Sequence, residues 1–196
     1  GPHGKVVVAH QSIDCVEGPD AIRVNTNLLG IGGEFGSTIT AMPSDSDSII
    51  IGACRHIPAQ PNRSVDAEIG LAWNPTTNRL FMVYTSETSD SFGNSQDINN
   101  SGIYDTNIEL IYSDDDGVTW SSPRSINDDT TYRSQFLPKI AMDPMTGNLA
   151  ITWYDARNDD GSGTDGQRDR IANDEAELWG TVSLDGGQSF MPNFKI

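Results

Sequence analysis

Between Asp155 and Glu177 the chain carries eight carboxylates in 23 residues: Asp155, Asp159, Asp160, Asp165, Asp169, Asp174, Glu175 and Glu177. Such density suits a hard cation, because Ca2+ takes roughly six to eight oxygen ligands and polar loops supply them readily. Asp155, Asp159, Asp160 and Asp165 are the candidate ligands, and Ca2+ is the one cofactor the composition suggests. The spacing does not match an EF-hand, and Arg157, Arg168 and Arg170 offer neutralising charge within the same stretch, so a solvated acidic loop is the competing reading. At the start of the loop, Tyr154, Asp155 and Arg157 place a phenol, a carboxylate and a guanidinium within four residues. A structural group, with Asp155 accepting from Arg157 or from loop amides, is set against ligand binding or catalysis by the same three. Other chemistries lack their residues. Three histidines and two cysteines show no zinc spacing, and no nucleophile elbow, Walker loop or dinucleotide fingerprint occurs.

These groups sit where a strand ends, and the strands recur. Leu71-Ala72-Trp73-Asn74-Pro75-Thr76-Thr77-Asn78-Arg79-Leu80-Phe81-Met82-Val83-Tyr84 aligns without gaps on Ile140 to Trp153, an offset of 69. Both copies read as an apolar strand, an Asn/Asp-Pro turn and a second strand rich in β-branched and aromatic residues, which is a hairpin signal. A second pattern, Ser-x-Asp-x-Gly-x-Thr/Ser-aromatic, occurs at Ser113, Asp115, Gly117 and Trp120 and again at Ser183, Asp185, Gly187 and Phe190. Its Asp accepts turn amides, its Gly permits a positive φ, and its aromatic packs back under the turn. Four strands per unit of about seventy residues, repeated in tandem, is the grammar of a β-propeller blade. The fold class expected is all-β, an incomplete propeller of two complete four-stranded blades and an irregular N-terminal β segment. Residues 68–134 and 135–196 form the two blades, 5–67 a divergent or partial blade, and 1–4 resemble a tag remnant. Trp120 and Phe190 are expected to be buried at equivalent positions. The tryptophans read as core rather than as sugar platforms.

The repeated turn resembles the Asp box, or bacterial neuraminidase repeat, of sialidase-like propellers, and the text around Gln135 to Pro144 and Thr152 to Asn158 resembles bacterial secreted members of that group. The resemblance implies a secreted or cell-surface protein whose parent binds or hydrolyses glycans. Sialidases use an arginine cluster for the substrate carboxylate, a tyrosine nucleophile assisted by a glutamate, and an aspartate as acid/base. Carried onto this chain, the resemblance leaves Arg157, Asp155 and Tyr154 as catalytic candidates and no complete set, so the chain by itself is expected to be inactive. The alternative is a non-catalytic propeller module for adhesion, surface structure or protein assembly.

A closed propeller has roughly four to eight blades, so further blades, from the same or another chain, are the expected partners. With 28 acidic and 12 basic residues, the net charge of −16 argues against nucleic acid and anionic membrane surfaces. No stretch reaches the length of a membrane span. Cys15 and Cys54 are the only cysteines, read either as one disulfide or as two reduced thiols. Long polar insertions, 87–106 and 155–176, replace the same turn in the two units and are expected to emerge on one face of the disc.

Overall fold

The computed structural model describes residues 1–12, 21–43, 49–50, 57, 59–60, 65–87, 106–131, 133–159 and 174–196. Cys15, Cys54, Asp160, Asp165 and most of both insertions lie outside these residues. The described chain is all-β, and its one helical turn is Pro2–Gly4. Its strands, in chain order, are β1 (Val6–Ser12), β2 (Ala21–Asn27), β3 (Ile39–Pro43), β4 (Ile49–Ile50), β5 (Gly70–Trp73), β6 (Leu80–Glu87), β7 (Thr106–Ser113), β8 (Arg124–Ser125), β9 (Gln135–Met142), β10 (Leu149–Asp155), β11 (Glu177–Ser183) and β12 (Phe194–Lys195). They form three antiparallel sheets. Sheet one is β1-β2-β3, sheet three is β9-β10-β11-β12, and sheet two runs β6-β7-β8 with both β4 and β5 paired along β6.

The sequence repeat is also a repeat of backbone conformation. Left-handed residues come in pairs at the repeat offset: Glu68 (φ 49°) with Leu137 (57°), Asn78 (61°) with Gly147 (76°), Asp116 (62°) with Gly186 (70°), and Gly117 (89°) with Gly187 (87°). Glu68 and Leu137 mark the same bulge. In sheet three the register against β9 shifts between Thr152 and Tyr154; in sheet two Gly70 pairs with Val83 while the Thr85 amide reaches Ala67. Each bulge sets two residues against one, which bends the strand and holds a side chain that disfavours φ > 0 in that region.

The sheets stack face on face, and the strand period of two decides which residues meet. Met82, Tyr84 and Ile111 of sheet two pack on Ile22, Val24, Ala41 and Met42 of sheet one. From the opposite face of sheet two, Phe81, Val83, Ile108 and Leu110 pack on Leu149, Ile151 and Trp153 of sheet three. The faces correspond, since Leu149, Ile151 and Trp153 are the repeat partners of Leu80, Met82 and Tyr84. Sheet three therefore sits on sheet two as sheet two sits on sheet one.

Sheet one follows the same plan without the repeated turn. Asn27 ends β2 opposite Val6, as Ser113 ends β7 opposite Leu80 and Ser183 ends β11 opposite Leu149. All three are buried, and each caps the turn after it. The Asn27 Oδ1 accepts from the Leu29 and Gly30 amides at 3.0 Å, and the serine Oγ accepts from Gly117 or Gly187 at 2.8 Å. Strand β3, which the sequence reading did not mark, completes this sheet.

Trp120 and Phe190 occupy equivalent positions but are half-buried, not buried as expected. Each lies along the rim of a seam, Trp120 against the core between sheets one and two and Phe190 against that between sheets two and three. The Trp120 indole donates to the Gly117 carbonyl at 3.1 Å, which keeps one edge of the ring at the turn surface.

Gly186 and Gly187 separate backbone strain from space. A Cβ on Gly187 would lie 2.6 Å from the Phe81 ring, whereas one on Gly186 meets nothing within 4 Å. Gly187→Ala is expected to destabilise by about 2–4 kcal/mol and Gly186→Ala by about 1 kcal/mol in urea unfolding. Equal costs would mean that the turn does not press on sheet two.

Candidate functional site

Asp155 ends β10 at the opposite end of the sheet from the Ser-Asp turns, about 20 Å away at the rise of a strand over six residues. Its side chain is fully buried. Oδ1 accepts from Gln135 Nε2 (3.2 Å) and the Arg157 amide (2.9 Å); Oδ2 accepts from the Trp153 indole (2.8 Å) and Arg157 Nε (2.9 Å). Four donors fill the acceptor capacity of a carboxylate. Asp155 is thus held inside the protein by donors on both of its oxygens.

Arg157 is the counter-charge, and both of its Nη atoms are also engaged. Nη2 lies 2.8 Å from Asp155 Oδ2 and donates to Asn193 Oδ1 at 3.0 Å, while Nη1 donates to Asp128 Oδ1 at 2.7 Å. The guanidinium lies over the Trp179 ring, 4.2 Å from its centroid, a geometry that adds cation–π attraction. Burial lowers the Arg157 pKa, but the bonds to Asp155 and Asp128 outweigh it and hold the group above its ordinary value. Asp128 is pinned in turn by the Asn193 amide at 2.9 Å; burial opposes its ionisation, yet that amide and Arg157 keep its pKa below the usual carboxylate range. Because Asp128 follows β8 and Asn193 precedes β12, Arg157 joins sheet two to sheet three.

Tyr154 does not join this group. As Asp155's neighbour along a strand it projects from the other face, where it stacks on Phe136 with ring centroids 5.8 Å apart and is 44% exposed. Phenol, carboxylate and guanidinium, adjacent in sequence, are divided by the sheet.

The described part of the acidic loop is closed at its base. Asp159 Oδ2 accepts the amides of Asp174 (2.8 Å) and Glu175 (3.0 Å). Glu177 accepts from Asn158, Trp179 and Lys195, and its bond to Lys195 leads the interactions that lower its pKa. Among the described residues no group of three or more His, Cys, Asp or Glu is placed to hold a metal ion. Asp160 and Asp165 fall outside them.

In the two Ser-Asp turns the carboxylates are spent on the turn. Asp115 accepts from the Ser113 hydroxyl (2.8 Å), the Thr119 amide (2.8 Å) and the Thr119 hydroxyl (2.6 Å). Asp185 accepts from Ser183, the Ser189 amide and the Ser189 hydroxyl in the same way. The Thr119 and Ser189 hydroxyls are the leading cause of the lowered pKa of each. Asp116, in place of Gly186, binds Lys5 at 2.7 Å and ties sheet one to sheet two.

Sequence reasoning found Asp155 and Arg157 but not Gln135, Asp128, Trp179 and Asn193, which complete their surroundings from 20 to 36 residues away. Nothing local marks them; only the repeat, which aligns the sheets, carries a signal that they converge.

No protein-family model matches the chain, and no curated protein matches it in sequence. Its fold is similar to that of solved glycan-acting enzymes. With a Hadza microbial sialidase it shares a TM-score of 0.52 at 16% identity, over 96% of this chain and 34% of that one. With the NanB sialidase of Streptococcus pneumoniae the TM-score is 0.56 at 8% identity, covering 98% and 42%. With the alpha-L-arabinanase of Penicillium chrysogenum, solved with arabinobiose, it is 0.55 at 15% identity, covering 98% and 45%. The chain thus spans between a third and a half of these proteins, and identities this low concern the fold alone. No described helix is long and apolar enough to cross a membrane.

Arg157→Ala would leave Asp155 buried and without its counter-charge, and is expected to cost about 3–5 kcal/mol in urea unfolding. Arg157→Lys should recover only part of this, because an ammonium cannot reproduce the planar fork or the stacking on Trp179. Unchanged stability in Arg157→Ala would contradict the structural role.

Proposed function

We propose that this chain is a stretch of a secreted or cell-surface β-propeller that recognises glycans, with each sheet serving as a blade. In this reading it supplies scaffold and loops rather than a complete catalytic set. The observation that carries it is the repeated stacking of the sheets, with the loop-bearing strand ends at one end and the Ser-Asp turns at the other. The sialidase and arabinanase folds that it resembles act on glycans and support the same class of ligand. Arg157 favours absence of catalysis in this chain, since its guanidinium is committed to Asp155, Asp128 and Asn193 and is not free to clamp a substrate carboxylate. That commitment also favours the second reading, a non-catalytic propeller for adhesion or assembly.

Further blades are the partners this reading requires. Phe81, Val83, Thr85, Ile108, Leu110 and Ile126 of sheet two are covered by sheet three, none more than 5% exposed. Their repeat partners on sheet three are Ala150, Thr152, Tyr154, Leu178, Gly180 and Ile196. There Tyr154, Leu178 and Ile196 are 44%, 39% and 60% exposed. An open apolar face of this kind marks an interaction surface, and a further sheet of the same repeat fits it.

Two measurements test the reading. The purified chain is expected to associate at micromolar concentration, with Leu178→Glu reducing association in sedimentation; a monomer that melts cooperatively would contradict the open-face argument. The chain alone is expected to leave fluorogenic sialosides and arabinosides intact, while its full-length parent binds or cleaves a glycan. Hydrolysis by the chain alone, or a parent that engages none of the sialylated or arabinose-containing glycans on an array, would overturn the proposal.

A further inference from the structure

Glu109 lies at the centre of β7, flanked by Tyr84 of β6 and Ser125 of β8. The register places it on the face that carries Met82, Tyr84 and Ile111, which is the face covered by sheet one. It is 8% exposed. No hydrogen bond or ion pair reaches its carboxyl among the described residues. Its strand neighbour on the same face, Ser86, is buried and its Oγ also lacks a partner among them. An ordinary surface glutamate would be well solvated, and a structural one paired; this one is largely removed from water and, among the described residues, unpaired.

The repeat shows what the position holds when it is filled. Ser86 corresponds to Asp155 and Glu109 to Trp179. In sheet three those residues form a satisfied cluster with Arg157, which clamps that sheet to the one before it. The seam between sheets one and two carries no such clamp at this end among the described residues. Its polar ties among the described residues include Gln11 Oε1 accepting the Ala67 amide at 2.9 Å and, toward the other end, Lys5 with Asp116 and the Thr26 hydroxyl donating to the Asp116 carbonyl.

We propose that the seam between sheets one and two is a proton-controlled contact, closed when the Glu109 carboxyl is neutral and loosened when it ionises. Among the described residues the groups facing it offer no compensating cation. From β6 the facing group is Tyr84, from β8 Ser125, from β1 Gln11 beside Val7 and Ala9, from β2 Ile22 and Val24, and from β3 Ala41 and Met42. Asp66 precedes Ala67 of the same cluster and carries the same sign of charge, with its own Oδ1 buried. Arg23 and His10 pair on the reverse face of sheet one, and Lys5 is engaged by Asp116.

Burial raises the Glu109 pKa from 4.5 to about 7. The closed seam therefore binds a proton more readily than the open one. Its stability is full at acidic pH, falls as pH rises from 4.5 toward 7 and levels off above that range. Opening equilibria should increase by up to about two orders of magnitude between pH 5 and pH 8.

Amide hydrogen exchange of the 196-residue chain at pH 5 and pH 8, corrected for intrinsic rates, tests this. The amides of β1 and β2 should lose protection by tenfold or more at the higher pH while those of β10 and β11 do not. In Glu109→Gln, which keeps the neutral shape, sheet one should stay protected at both. Loss of protection that persists in Glu109→Gln, or none in the unsubstituted chain, would overturn the proposal. Carboxyl 13C titration of the unsubstituted chain gives an independent readout: an inflection near 7 is expected, and one below 5 would refute it whatever the variant does.

Discussion

A carboxylate with no access to water, Asp155, constrains the part of this molecule formed by sheets two and three. Burying a charge is tolerated only when donors and a counter-ion meet it, and here these groups and those that hold them come from five places in the chain. Gln135 approaches from β9, Trp153 from the same strand, Arg157 from the loop that follows, and Asp128 and Asn193 fix Arg157 from beyond β8 and before β12. Holding one anion therefore fixes the relative position of two sheets. The same requirement removes Asp155 and Arg157 from service as free chemical groups, which is why the reading of function rests on architecture and not on a local triad.

The two seams solve one packing problem differently. Between sheets two and three, apolar faces meet and a charge cluster closes the loop-bearing end. Between sheets one and two, the apolar faces meet again, but the polar lock lies at the other end, where Asp116 holds Lys5 and the Thr26 hydroxyl donates to its carbonyl. The loop-bearing end, among the described residues, carries Ser86 and Glu109 beside a single amide bond from Ala67 to Gln11. A repeat unit thus keeps its backbone, down to the left-handed residues, while its buried polar positions diverge.

That divergence explains what was legible in the sequence. The hairpin and Ser-Asp turn were readable because left-handed backbone and turn amides admit few residue types, so Gly117 and Gly187, or Asp115 and Asp185, recur in identical settings. Sheet one escaped because Asn27 performs with an amide what Ser113 and Ser183 perform with a hydroxyl, and no pattern of residue types equates them. Strand β3 is short and ends at Pro43, which gave it little periodicity to read. Tyr154 was misgrouped for a geometric reason: neighbours along a strand face opposite ways, and proximity in sequence there means separation in space. The half-burial of Trp120 and Phe190 depended on where the seams run, which only the stacked sheets define.

The central claim is that Arg157 is a clamp between sheets rather than a ligand-binding group. A double-mutant cycle on Asp128→Ala and Arg157→Ala, followed by urea unfolding, measures it directly, because Asp128 follows β8 of sheet two, Arg157 follows β10 of sheet three, and the two are joined by a direct ion pair and through Asn193. A coupling energy of at least about 1 kcal/mol is expected. Effects that add to within about 0.3 kcal/mol would mean that the contact holds nothing together, and would contradict the account.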